Sequence, residues 1–253
     1  MRMNQSSTWQ AHSPETNCRE RKRRVLKVAC QLFARHGFEG THVREICNLA
    51  GVNIALVCYH FRDKQGLYEA VRTEARERLS RRSNCDVCAW RDITPQEKLQ
   101  AVIESLFARL SGDSAWIAHL VARELAEETK TSQGTVSEGF RGDLTLLESV
   151  IRDAVGPETD ANTIRLDALH VLSQCVFYCA AKGALTRFSP KLDQPALKPQ
   201  RLVRHLTLFS LRGLGDGARL SRIRQKAPAT DTSVSLHEVP MKKLGAVGQE
   251  SRL

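Results

Sequence analysis

The chain has little that would break or bend a backbone. It holds 8 prolines and 15 glycines in 253 residues, and both are sparse between Cys47 and Leu220. Strand-like alternation of apolar and polar residues persists nowhere, so an all-α chain is predicted. Long apolar runs are missing too. The longest charge-free stretch in the apolar part of the C-terminal half, Ala168 to Ala181, contains His170, Ser173 and Gln174. It is shorter than the ~20 residues that span a bilayer. The first residues are polar and lack the apolar segment of a secretory signal. A cytoplasmic protein with no membrane partner is expected, nucleoid-associated when bound to DNA. No nucleophile elbow, phosphate-cradling loop or metal-ligand cluster is present. The chain is therefore read as a non-enzyme with no cofactor and no metal.

Eight cysteines are more than this size of chain needs, because its core requires no disulfide staples. Cys85-Asp-Val-Cys88 is a single C-x-x-C, and no second pair follows at a zinc-site spacing. His119 and His170 are distant from it in sequence. Cys175 and Cys179, at i and i+4, suit apolar packing. A cysteine-based redox sensor or cysteine-dependent enzyme using Cys85 and Cys88, or Cys175 with His170, is the alternative reading from a different functional class. Acidic residues are in the minority, and the net charge is +10. Residues 1–40 carry 8 basic and 3 acidic side chains (+5), and residues 217–253 carry 7 and 3 (+4). Basic ends favour polyanions such as DNA phosphates.

What is present is concentrated in residues 41–68. Val43, Ile46, Cys47 and Ala50 fall at i, i+3, i+4 and i+7, one apolar stripe of a short helix. Thr41 suits its N-cap, with a phosphate contact as a compatible second role. Gly51 follows the last periodic residue, where a left-handed turn costs glycine nothing sterically. A second short helix from about Asn53 to His60 follows. Two short helices joined by a glycine turn match a helix-turn-helix, whose second helix lies in the major groove. Helix 1 is expected from Arg19 to Gly37, and a fourth helix from Lys64, capped by Asp63. Thr94-Pro95-Gln96-Glu97 reads as a capping box with proline at the first helical position. Further helices are expected over about 114–129, 138–155, 162–187 and 199–215. The layout expected is an arm over 1–18, a DNA-binding domain over 19–67, a helical body over 68–219 and a disordered basic tail over 220–253.

These residues also resemble a known family. Val28 to Leu67 is similar to the DNA-binding domain of tetracycline-repressor (TetR) regulators through Ala29, Leu32-Phe33, Gly37-Phe38, Gly40-Thr41, Val43-Arg44-Glu45-Ile46, Ala50-Gly51-Val52, Tyr59-His60-Phe61, Lys64 and Leu67-Tyr68. On a docked helix, Asn53, Ile54, Ala55, Cys58 and Tyr59 would face the groove, with Val57 and Phe61 toward the core. The resemblance implies base-edge contacts at Ile54, Ala55, Cys58 and Tyr59, and phosphate contacts at Tyr59, His60 and Lys64. It also implies a groove contact from Arg44. Ile54 and Ala55 offer only apolar contact, such as with a thymine methyl, and where the subgroup favours asparagine this chain has Cys58. Site shape and deformability would then carry part of the specificity. Arg19, Arg21, Lys22, Arg23 and Arg24 could reach an adjacent groove or phosphate.

The runs Ile117-Ala-His-Leu-Val-Ala-Arg-Glu-Leu and Ser173-Gln-Cys-Val-Phe-Tyr178 resemble the C-terminal domain of a TetR subgroup related to the regulator CerR. That implies a helical ligand-binding and dimerisation domain. Trp116, His119, Arg123, Glu124, Phe140, Gln174, Phe177 and Tyr178 mix aromatic bodies with polar tips and are the candidate effector-binding residues. Leu166, Leu169, Leu172 and Val176, with Leu202, Leu206, Phe209 and Leu214, are candidates for a dimer seam. The combined expectation is a homodimeric regulator of double-stranded DNA, a repressor released from its operator when a small-molecule effector shifts helix 4.

Overall fold

A computed structural model describes residues 14–81, 90, 92–126, 135–191 and 197–226. Among these, ten α-helices and a short 3-10 turn at Gly112–Ser114 account for the architecture, and no strand occurs. The head consists of α1 (Pro14–His36), α2 (Val43–Ala50) and α3 (Ile54–Phe61). α4 (Lys64–Ser80) leads out of it into a body built from α5 (Pro95–Leu110), α6 (Ala115–Ala126), α7 (Thr135–Val155), α8 (Ala161–Ala180), α9 (Lys182–Phe188) and α10 (Pro199–Lys226).

One apolar stripe on α1 (Val25, Ala29, Leu32 and Phe33) is buried, and this helix packs on α2, α4 and α6. On α4 the buried set is Leu67, Val71, Ala75 and Leu79, a repeat of four residues that keeps one face inward over the whole helix. The apolar core therefore runs without a break from Val25 in the head to Leu214 in the body. The expected capping box is present. Thr94 Oγ1 accepts from the Glu97 N–H, and the Glu97 carboxylate accepts from the Thr94 N–H at 2.9 Å. The Thr94 hydroxyl and backbone hold the exposed Glu97 carboxyl below its usual range.

Several expected boundaries move. α1 begins at Pro14, so residues 14–18 of the arm expected over 1–18 are helical, and residues 1–13 lie outside the described residues; proline's fixed φ suits the first helical position. The helix expected over 162–187 is two helices. Ala181, at φ −91° and ψ 2°, accepts a tight i+3 bond from Ala184 N–H at 2.7 Å and starts a new turn. Gly183, with its intrinsic cost of about 1 kcal/mol in a helix interior, weakens continuation there. α10 runs on to Lys226, seven residues into the segment expected to be a disordered tail. Its arginines, leucine, glutamine and lysine are good helix formers even where apolar periodicity has ended. The remainder of that tail, residues 227–253, lies outside the described residues, as do Cys85 and Cys88.

Two buried ion pairs fix α4 against the body. Arg72 Nε lies 3.3 Å from Glu124 Oε1 on α6, with both side chains almost wholly buried. Lower down, Arg109 on α5 grips Asp143 on α7 with two bonds, at 2.6 and 3.0 Å, and also donates to the Leu79 carbonyl near the end of α4. Removing one partner of such a pair leaves a buried charge uncompensated. Asp143→Ala is expected to lower unfolding free energy by about 3–5 kcal/mol in urea titration. The double change Arg109→Met, Asp143→Leu is expected to lose less. A single-variant loss under about 1 kcal/mol would contradict the clamp's role.

Candidate nucleic-acid interface

The turn between α2 and α3 is set by Gly51, at φ 62° and ψ 46°. Its N–H and that of Val52 return to the Asn48 and Cys47 carbonyls at 3.2 and 3.0 Å. Asn53 then caps α3, its Oδ1 accepting from the Ala55 N–H at 2.9 Å. Asn53 is exposed as expected, but its side-chain oxygen is occupied in ordering the helix start.

The seating of α3 follows the expected split. Val57 and Phe61 are buried, and Leu56 packs part-buried on the core. Ile54, Ala55, Cys58 and Tyr59 face outward on one side of the helix, with Ile54 45% and Tyr59 81% exposed. Arg44 is exposed on α2. Arg19, Arg21, Lys22, Arg23 and Arg24 lie exposed along α1.

α3 ends abruptly. Arg62 sits at φ 71° and ψ −61°, a γ-turn conformation rare for a residue other than glycine; its N–H bonds to the Cys58 carbonyl at 3.0 Å, and the Asp63 N–H closes the turn on the Phe61 carbonyl at 2.9 Å. Asp63 then caps α4 by accepting from the Gly66 N–H at 2.7 Å. Gly66 is required by close approach: a Cβ there would lie 2.0 Å from the Phe61 carbonyl oxygen. Lys64, the expected phosphate anchor, turns its ammonium to the Glu39 carbonyl at 3.3 Å and over the Phe38 ring at 4.5 Å. Phe38 itself stands with Phe33 and Tyr68 in an aromatic trio whose centroids are 5.0–6.2 Å apart. His60 is half-buried; its Nε2 lies 3.3 Å from Cys18 Sγ, and its ring faces that of Tyr59 at 4.9 Å.

Thr41 is a correction. It is fully buried, and its hydroxyl donates to the Gly37 carbonyl at 2.7 Å. The N-cap position of α2 is His42, which makes no side-chain cap bond. Thr41 thus closes the loop after α1 and can meet neither α2's free N–H groups nor a phosphate. A hydroxyl bonding back four residues leaves the same sequence signature as a cap.

The eight candidate effector residues have separate surroundings. Arg123 reaches back to the head, donating to the Arg35 carbonyl at 2.9 Å. Glu124 pairs with Arg72. Trp116 is buried, with the Arg78 guanidinium 5.9 Å from its ring centroid. His119 is mostly exposed, and partial desolvation, then the nearby Arg35 charge, lowers its pKa. Phe140 is core, Phe177 is exposed, and Tyr178 packs part-buried on the core. Only Gln174 of the eight lines the cavity of about 290 Å³ between α8 and α10, beside Asp167, His170, Phe209 and Ser210. Burial there, offset by His170, raises the Asp167 pKa. Polar residues interrupting the apolar α8 pattern were the available sequence signal for this groove. Of the alternative cysteine sites, Cys175 is buried, and burial pushes its thiol pKa far up, which disarms it as a nucleophile.

Comparison with known proteins agrees with this geometry. Residues 25–71 match the tetR family of bacterial regulatory proteins. Residues 95–214 match the C-terminal domain of the HTH-type transcriptional dual regulator CecR, the subgroup expected above under the name CerR. An HTH-type transcriptional repressor of Mycobacterium tuberculosis is 25% identical over 196 residues, covering 77% of this chain and 93% of that protein. The probable HTH-type transcriptional regulator YttP of Bacillus subtilis is 34% identical over 90 residues, 36% of this chain and 42% of its own. In fold, the chain is similar to a TetR-like regulator from Rhodococcus sp. RHA1 (TM-score 0.57, 14% identity, 77% and 96% covered). It is likewise similar to AibR, solved with isovaleryl coenzyme A and operator DNA (TM-score 0.54, 18% identity, 74% and 96% covered).

The junction between α3 and α4 should be intolerant of added volume. Gly66→Ala is expected to destabilise the protein by about 1–3 kcal/mol or more, the usual range for overpacking, because the clashing atom is backbone. Asn53→Ala should cost about 1 kcal/mol through loss of the cap. Thermal unfolding followed by circular dichroism reads both, and a Gly66→Ala protein as stable as the parent would refute the close approach.

Proposed function

The chain belongs to the TetR family of bacterial transcriptional regulators, and we propose that it acts as a homodimeric, sequence-specific repressor released from operator DNA by a small-molecule effector. The observation that carries this reading is the outward face of α3. Val57 and Phe61 anchor the helix so that Ile54, Ala55, Cys58 and Tyr59 stand free together. Those four side chains are assigned to base edges, Arg44 to the groove from α2, and Tyr59, His60 and Lys64 to phosphates. Asn53 acts through the helix cap. Lys64 sits at the start of α4, where free N–H groups and the helix dipole already attract an anion. Its present contacts, a single carbonyl and a ring face, are weak enough for a phosphate to displace.

Dimerisation is assigned to the outer faces of α8 and α10. Leu166, Leu169 and Phe177 on α8 and Phe209 on α10 are each about half exposed or more. By contrast, Leu172, Val176, Leu202, Leu206 and Leu214 from the expected seam are buried within the chain and support it from beneath. A two-fold pair would offer two reading helices to half-sites ~34 Å apart. AibR, solved with an acyl coenzyme A and operator DNA, is a precedent for effector control in this fold. In this chain the effector would act through α4, which touches both head and body. Releasing DNA requires only a differential affinity of a few kcal/mol between the two states. No described helix is long and apolar enough to cross a membrane.

Selection of genomic fragments by the purified protein, followed by mobility shifts at rising salt, tests the reading. Lys64→Ala and Tyr59→Phe are expected to weaken binding to all bound fragments alike, with Lys64→Ala lowering the salt slope by about 1. Cys58→Ala should instead reorder the preferred sequences. An unchanged affinity for Lys64→Ala at moderate salt would remove that anchor. Leu169→Glu combined with Phe209→Glu should give a monomer in sedimentation and lose binding with it; a dimer that persists would move the seam elsewhere.

A further inference from the structure

The thiols of the described residues fall into three groups, and one of them is Cys58, exposed on the outward face of α3. Burial pushes the Cys30 thiol up to about 12 and the Cys179 thiol up to about 11, and raises those of Cys47 and Cys175 as well. Such thiols stay protonated and inert in the folded protein. Cys18 stands in a different setting. It is half-buried, and so within reach of small solutes, and its Sγ lies 3.3 Å from Nε2 of His60, 42 residues away. Lys22, one turn further along α1, places its ammonium 5.7 Å from the centroid of the Phe61 ring. Thus Cys18 and Lys22 both lie against the last turn of α3, with an imidazole beside the thiol. A base in hydrogen-bond reach is one of the features that activate a cysteine nucleophile. The position has no role in holding the fold that the packing reveals, and it borders the reading helix.

We propose that Cys18 and His60 form a modification site for soft carbon electrophiles of the α,β-unsaturated carbonyl class, and that alkylation of Cys18 releases the protein from DNA. The second half of this rests on the regulator reading above. In the step, His60 Nε2 takes the thiol proton, leaving a thiolate beside an imidazolium. Sγ bonds to the electrophile's β-carbon while the C=C π pair moves toward the carbonyl as an enolate. The imidazolium proton then returns to the α-carbon. The sum is a simple addition, with no oxidant and no leaving group. Disulfide chemistry is not favoured at this pair, because its partner is an imidazole and Cys30 and Cys47 are buried. The thioether adds the whole electrophile between α1 and α3. It therefore displaces the His60 ring and, through the Tyr59 ring stacked edgewise on it, the outward face that meets DNA.

The test treats the full-length protein with N-ethylmaleimide at pH 7. Timed peptide mass spectrometry follows each cysteine, and fluorescence anisotropy follows a selected fragment. Cys18 is expected to be alkylated first, and DNA affinity to fall at least tenfold in step with it. His60→Gln should slow Cys18 alkylation on the order of tenfold or more, as loss of a general base does. Cys18→Ser should bind DNA like the untreated parent and keep that binding over the time in which the parent's Cys18 reacts, before the exposed Cys58 is labelled. A Cys18 rate in the parent no faster than that of the urea-unfolded chain would overturn the activation, even if His60→Gln proved unstable. Loss of binding in treated Cys18→Ser over that time would assign release to another thiol and overturn the switch, as would full Cys18 alkylation without release. An untreated parent that binds no DNA would instead refute the regulator reading, while the labelling rates still decide the chemistry of the pair.

Discussion

The outward face of the reading helix depends on how α4 is held. α4 leads from the head into the body, and it is fastened at three levels. At its start, the Asp63 cap and the contact of Gly66 with the Phe61 carbonyl set the angle between α3 and α4. Along its length, Leu67, Val71, Ala75 and Leu79 are buried, each large one contributing roughly 1.5–3 kcal/mol of hydrophobic stabilisation. Near its end, the Leu79 carbonyl accepts from Arg109, whose guanidinium is already paired to Asp143. A shift of α4 at any of these levels changes where Ile54, Ala55, Cys58 and Tyr59 point.

The charges buried along α4 are not there for stability alone. Desolvating an arginine and a carboxylate costs several kcal/mol per ion, and their attraction only about offsets that. Apolar contacts tolerate sliding, whereas the two-pronged Arg109–Asp143 pair has one register in which it is satisfied. Arg123, next to Glu124, bonds the Arg35 carbonyl at the end of α1. One turn of α6 therefore holds both α1 and α4. That is the arrangement expected of a coupling element with discrete positions, since a half-satisfied buried pair is costly.

Local chemistry was the legible part of the sequence. The α2 stripe, the Gly51 turn, the Asp63 cap, the Thr94 box and the split of α3 into Val57 and Phe61 against Ile54, Ala55, Cys58 and Tyr59 all follow from spacing within a few residues. Thr41 was misread because a hydroxyl closing the loop behind it and one capping the helix ahead look identical in one dimension. Pocket-lining and strut residues look alike in the sequence for a related reason. Amphipathic helices set polar tips at their interhelical contacts, so Arg123 and Glu124 resemble pocket residues while serving as struts. The Cys18–His60 pair lies 42 residues apart in sequence and Arg109–Asp143 lies 34 apart; neither leaves a periodic trace.

The central claim is that α3 is seated in the major groove as one of a symmetric pair. Dimethyl sulfate probing of a selected fragment tests it most directly, because the reagent marks guanine N7 in the major groove and adenine N3 in the minor groove. The account expects guanine N7 protection in two blocks related by a two-fold axis, with adenine N3 between them left reactive. A single protected block, or protection confined to adenine N3, would contradict it.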